Sequence, residues 1–134
     1  MSDINKTMKL NHLSFPSNDV AATARFFEDQ LGCTVSAFGT SRLVKRPGFD
    51  IVIEDVGEEA VAWPRNFHLG FELPSLDDVQ GLYQRFKAAG VEMETAVISH
   101  PRGSRFFCRA PGGVMFEINT RSDAAEAYRG TFDN

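Results

Sequence analysis

The sequence predicts an α+β fold in which one βαββ-type unit is written twice, and three observations carry that reading. Two stretches, Leu10-Asn11-His12-Leu13-Ser14-Phe15 and Asn66-Phe67-His68-Leu69-Gly70-Phe71-Glu72-Leu73, alternate as half-buried strands with a histidine opposite the apolar side chains. Each is followed by a turn, an amphipathic helix and a glycine, and from histidine to glycine the first copy spans 20 residues (12 to 32) and the second 22 (68 to 90). Both copies then pass a Pro-Gly turn, Pro47-Gly48 and Pro111-Gly112, into a last strand. Independent elements would rarely repeat in that order at those spacings.

Taken in order, Met1 to Met8 is polar and unpatterned and reads as a loosely held arm. Lys9 to Phe15 is the first strand, with Leu13 and Phe15 on one face and His12 and Ser14 on the other. Asn18 or Asp19 caps a helix from about Val20 to Leu31, whose buried stripe is Val20, Ala24, Phe27 and Leu31, and Gly32 ends it. Strands follow at Cys33–Phe38, Arg42–Arg46 and Phe49–Glu54. After an acidic linker, Asp55 to Arg65, the second copy begins at Phe67–Leu73. Ser75 with Asp78 fits a capping box for a helix at about Leu76–Ala89 that buries Val79, Leu82, Phe86 and Ala89 and stops at Gly90. Strands are expected at Glu92–Ile98, Arg105–Arg109 and Val114–Asn119, and a short helical turn in the tail after Ser122. The 134 residues are thus expected to form one domain, made of a module at 9–55 and a module at 66–120.

Composition narrows the function. A net charge of −4 leaves no basic footprint, which argues against nucleic acid or an anionic membrane as partner. Cys33 and Cys108 form no C-x-x-C pair and read as free buried thiols. With no signal peptide and no long apolar run, a reduced cytoplasmic setting is the expectation.

The chemistry lies on one strand face. In Val114-Met115-Phe116-Glu117-Ile118-Asn119, Val114, Phe116 and Ile118 should pack under the helices, which turns Glu117 to the face that carries the histidines. A carboxylate there is costly unless paired, solvated or metal-bound. Two neutral imidazoles, His12 and His68, with Glu117 make a three-point ligand set with open positions, suited to Fe(II), Mn(II), Zn(II) or Ni(II). Taken singly, each histidine reads as a rim or core residue and Glu117 as a surface carboxylate; their matching places in two copies make the case for metal.

His12 in Leu-Asn-His-Leu, His68 in Phe-His-Leu-Gly-Phe and the ending Arg-Ala-Pro-Gly-Gly-Val-Met-Phe-Glu-Ile resemble the vicinal oxygen chelate superfamily, which comprises glyoxalase I, bleomycin- and fosfomycin-resistance proteins and extradiol dioxygenases. The resemblance covers about Lys9 to Thr120 and implies two tandem βαβββ modules around a cupped mixed sheet with outer helices, a divalent metal, a small-molecule substrate with adjacent oxygens, lyase or dioxygenase chemistry, and a homodimer. The superfamily's ligand positions carry over onto His12, His68 and Glu117. A fourth ligand would come from the last strand of the first module: counting from the Pro-Gly turns reaches Ile53, alternation points to Glu54, and a one-residue bulge would reconcile them.

Departures from the pattern matter too. Ala110 replaces the first acid of the final motif, Phe107 stands where extradiol dioxygenases place a tyrosine, and Val97 and Pro101 lie near the loop in which fosfomycin-resistance enzymes carry a lysine and a serine. Bleomycin-binding proteins lack the ligands, so keeping three of them argues against a metal-free binding or sequestration protein, which is the alternative reading. Arg105, Phe107 and Arg109 share the site face, where either arginine could clamp a carboxylate or phosphate. His100, in a loop punctuated by Pro101 and Gly103, is the candidate mobile acid or base.

Overall fold

The structure is a computed structural model describing residues 2–133. Two compact units divide it, residues 1–62 and 63–134. Each holds one open, four-stranded mixed sheet.

In the first unit, α1 (Ser2–Thr7) precedes β1 (His12–Ser17), α2 (Val20–Leu31), β2 (Thr34–Phe38), β3 (Ser41–Lys45) and β4 (Asp50–Asp55). The arm expected at Met1–Met8 is therefore largely helical: Met8 N–H and the Thr7 hydroxyl close it on the Asn5 and Ile4 carbonyls. Six residues are too few to show a period. The sheet order is β1-β4-β3-β2, with β1 parallel to β4 and the other pairs antiparallel. β1 starts and ends later than the expected Lys9–Phe15, and it accommodates Pro16 because it is an edge strand. The Asp19 carboxylate accepts from Ala22 N–H, and Gly32 ends α2 at φ 68°. Phe15, Val44, Ile51 and Ile53 meet α2 through Val20, Ala24, Phe26 and Phe27; Leu31 is only half-buried.

The second unit repeats the plan with β5 (His68–Glu72), α3 (Leu76–Ala88), β6 (Glu92–Met93), β7 (Arg105–Arg109), β8 (Met115–Asn119) and a 3₁₀ turn at Glu126–Tyr128. The order is β5-β8-β7-β6, again with one parallel pair, β5 with β8. Ser75 caps α3 by accepting from Asp78 N–H. Val79 and Phe86 are buried against Phe106, Phe116 and Ile118, whereas Leu82 is half-buried and Ala89, the cap residue, is exposed. The strand expected at Glu92–Ile98 stops at Met93. Glu94 and Thr95 N–H both donate to the Phe107 carbonyl, and the Thr95 hydroxyl accepts from Phe107 N–H, so a side chain replaces the ladder there. Pairing resumes only as a bridge between Ile98 and Arg105. Trp63, expected in the linker, belongs to this unit: its indole N–H donates to the Gly112 carbonyl at 3.0 Å.

Candidate functional site

The register of the second sheet builds one face in three rows. His68, Met115 and Arg109 form the first, Gly70, Glu117 and Phe107 the second, and Glu72, Asn119 and Arg105 the third. Opposite faces alternate along each strand, so Leu69, Phe106, Cys108, Phe116 and Ile118 turn into the core under α3. The structure thus brings His68, Glu117, Phe107 and Arg105 together on one face.

His68 Nε2 lies 3.8 Å from Glu117 Oε1. Its Nδ1 is 2.9 Å from the Asn66 carbonyl, which can only accept, so Nδ1–H donates there and Nε2 is the ring nitrogen turned toward Glu117. Glu117 is 8% exposed, and its Oε2 accepts from Asn119 Nδ2 at 2.5 Å. The Phe107 ring stands edge-on to His68, centroids 5.4 Å apart. Across from Glu117, Gly70 carries no side chain, and a Cβ placed there would meet nothing nearer than Asn119 Nδ2 at 3.6 Å. Asn119 shares the alternation of Glu117, which was the available signal for its bracing role; the carbonyl of Asn66 left none.

In the first unit His12 occupies the position on β1 that His68 occupies on β5. Its Nδ1 lies 2.6 Å from Asn11 Oδ1, which leaves Nε2 free in the same way. Its register partner Asp50 is engaged by Lys45 at 2.8 Å, a bond that holds the carboxyl below its ordinary 3.8. Two residues beyond the His68 pair comes Glu117; two beyond the His12 pair comes Val52. The position matching Glu117 is therefore apolar. Glu54 lies two residues further, facing the same way as His12 and accepting from the Ser14 hydroxyl at 2.8 Å. Neither Ile53 nor Glu54 is the counterpart of Glu117: the extra residue Gly113, in the turn before β8, moves the count back to Val52.

The two arginines differ. Arg109 Nε donates to Glu94 at 2.6 Å and its Nη1 to the Gly113 carbonyl at 2.8 Å. Arg105 lies over the Phe107 ring at 5.9 Å, and its buried Nε has no hydrogen-bond partner among the described residues.

The His100 loop is hydrogen-bonded within the second unit. The His100 ring Nδ1 accepts from Arg102 N–H at 3.1 Å, so the neutral ring carries its proton on Nε2. Desolvation, then Arg105 and Arg102, push its pKa below the ordinary 6.5, against an opposing pull from Glu117. The loop is strapped down by the segment after β8: Ala125 N–H donates to the Pro101 carbonyl, Arg121 to the Arg102 carbonyl, and Ser104 donates from N–H and hydroxyl to Asp123 at 3.0 and 2.5 Å. Burial raises the Asp123 pKa, but the bonds from Ser104 and from its own N–H outweigh it, leaving the carboxyl below 3.8. A depressed carboxylate pKa stabilises the fold above the unfolded value, and the benefit is lost as pH falls through the lower folded one. Asp123→Asn is accordingly expected to cost about 1 kcal/mol near pH 7, since the group is solvent-screened. In urea titrations that deficit should shrink below pH 4; a deficit independent of pH would exclude this charge as its source. Burial also holds the Cys108 thiol up at about 12, and raises that of Cys33 despite Arg46, so both remain protonated.

Residues 9–118 match the family model of the Glyoxalase/Bleomycin resistance protein/Dioxygenase superfamily. The chain belongs to this superfamily. Among solved structures, a possible glyoxalase from Bacillus cereus is 29% identical, with a TM-score of 0.72 over 84% of this chain and 99% of that one. The oxidase ChaP-H2 is 27% identical, with a TM-score of 0.71 over 89% and 98%. A lactoylglutathione lyase from Agrobacterium tumefaciens, at 18% identity, shares the fold with a TM-score of 0.68 over 83% and 92%. No curated protein matches the sequence. No described helix is long and apolar enough to cross a membrane.

Membership of the superfamily raises the question of a divalent metal. Among the described residues of either unit, no three His, Cys, Asp or Glu side chains converge as a ligand group. The second unit supplies a pair, and its chemistry fits: an imidazole with Nδ1 fixed and Nε2 free, beside a carboxylate braced by an amide, is the donor arrangement that metal sites use.

Proposed function

We propose that this superfamily member is a divalent-metal-dependent enzyme acting on a small substrate with adjacent oxygens, by lyase or dioxygenase chemistry, with His12, His68 and Glu117 as metal ligands. The observation that supports this most is the free Nε2 of His68 facing a nearly buried carboxylate at 3.8 Å. Holding a carboxylate nearly buried is costly, and a cation offsets that cost. Fe(II), Mn(II), Zn(II) and Ni(II) all suit this donor set. The metal, when bound, supplies Lewis acidity to the substrate oxygens. The chain's own residues do the rest. Asn66 fixes the His68 tautomer and Asn119 orients Glu117. Phe107 packs against the His68 ring and Gly70 leaves room for substrate. Arg105 binds an anionic part of the substrate, and His100, neutral near pH 7, presents Nε2–H as the proton-handling group. The neighbour described as a possible glyoxalase supports the lyase class, and the one described as an oxidase supports oxidative chemistry on this fold. Superfamily membership also supports a homodimer as the working assembly.

Elemental analysis after gentle purification, followed by thermal melts with Fe, Mn, Ni and Zn added to chelated protein, tests the reading. At least one metal is expected at about one equivalent and to raise the melting temperature through preferential binding to the native state. If none binds at micromolar concentration, the metal-free binding protein becomes the better account; Phe107 and Met115 give that alternative an apolar surface on the same face.

A further inference from the structure

We infer that the substrate carries a carboxylate, separate from its chelating oxygens, which the Arg105 guanidinium binds. The inference rests on the face just described being the substrate site.

Arg105 and Arg109 flank Phe107 on that face, but only one is available. Arg109 is satisfied by Glu94, Gly113 and, at 3.9 Å, Glu92. Arg105 makes no ion pair or side-chain hydrogen bond among the described residues, although its Nε is buried. The half-buried Arg105 guanidinium thus keeps its charge without a protein counter-ion, and a ligand oxyanion would supply one. Glu72 shares the row but lies two strands away across β8, roughly 10 Å, and does not reach it.

Position supports the same assignment. Arg105 N–H and carbonyl both bond Ile98, which fixes the backbone from which the guanidinium extends. The Arg105 row lies beside the Glu117 row, about 7 Å along the strand, with the bare Gly70 position opposite Glu117. His68 stands on the far side of Glu117. A substrate with its paired oxygens at His68 and Glu117 would therefore bring a group a few bonds away to Arg105. Arg102 and Arg105 both act electrostatically on His100, so a second guanidinium stands near the Arg105 row. A guanidinium edge matches the plane of a carboxylate with two parallel N–H bonds.

Two probes of equal chain length separate the possibilities: 2-oxopentanedioate, which has a distal carboxylate, and 2-oxopentanoate, which does not. Binding is followed by NMR at the Arg105 Nε–H resonance in chelated and in Zn(II)-loaded protein. The dicarboxylate is expected to bind about 10-fold more tightly or better, the range of one charge-assisted bidentate contact. Arg105→Gln should abolish that preference and Arg105→Lys should retain part of it. Equal affinity for the two probes, a preference that survives in Arg105→Gln, or no binding of either probe overturns the inference. Inorganic phosphate competing as well as the distal carboxylate would overturn the carboxylate assignment. If the preference holds while Zn(II) tightens neither probe, the arginine contact stands and the metal reading falls; if Zn(II) tightens both without preference, the reverse is true.

Discussion

Glu117→Gln should abolish stoichiometric metal binding while leaving the metal-free protein at least as stable as the parent. The two expectations have one cause. Glu117 is 8% exposed, accepts from Asn119 Nδ2 and faces the free Nε2 of His68. A glutamine keeps that shape: its carbonyl can accept from Asn119 and its amide can donate toward His68. What disappears is a charge that is expensive to hold away from water without a cation. Metal affinity should fall by at least about 100-fold, beyond the 10–100-fold typical of outer-shell partners. The chelated variant should melt within a few degrees of the parent, or above it, as expected when a site strained for function is relaxed. His68→Ala should lose the metal equally, but with no gain in stability, because its ring packs on Phe107. Metal content by elemental analysis and paired melts with and without chelator read both effects. A variant that melts far lower and still binds metal would make Glu117 a structural residue.

The sequence made this face legible because alternation is local. His68, Glu117, Arg105 and Phe107 share a face for the same reason that Leu69 and Phe116 share the other: successive strand residues point oppositely. The caps at Asp19 and Ser75 and the terminal Gly32 follow from equally local chemistry. What escaped depended on distant partners. Thr95 ends a ladder by giving its hydroxyl to Phe107 N–H, twelve residues on, and nothing in Glu92–Ile98 announces that exchange. The unmatched count between modules sits in the turn at Gly113, where a side chain would crowd the Trp63 indole. Glu54 faces as alternation said, yet Val52 holds the place that corresponds to Glu117, and only the register distinguishes them. The His100 loop looked free because its three straps come from a segment whose composition suggested nothing.

Those straps make Gly103→Ala the most damaging single-methyl change expected in the second unit. Gly103 is buried at φ +111°, where a Cβ is strained, and the added carbon would overlap the Thr120 carbonyl oxygen and lie 3.1 Å from its carbon. Neither side can yield freely. Gly103 N–H bonds the His100 carbonyl at 2.9 Å, Thr120 N–H bonds the Ser104 carbonyl at 3.1 Å, and Asp123 grips Ser104 from the same segment. Backbone strain and overpacking together should cost about 3–5 kcal/mol. For a chain of this length the melting temperature should drop by roughly 10–20 °C. Alternatively the loop lifts away from β8, which relieves the overlap by sacrificing the bonds that fix His100. That outcome has its own signature: with Arg102 N–H no longer held on Nδ1 and the ring resolvated, the His100 pKa should climb back toward 6.5. Thermal melts and a histidine NMR titration on one sample separate the two routes. A variant with parental stability and an unmoved His100 titration would mean that the loop and the end of β8 are not held together as the hydrogen bonds describe.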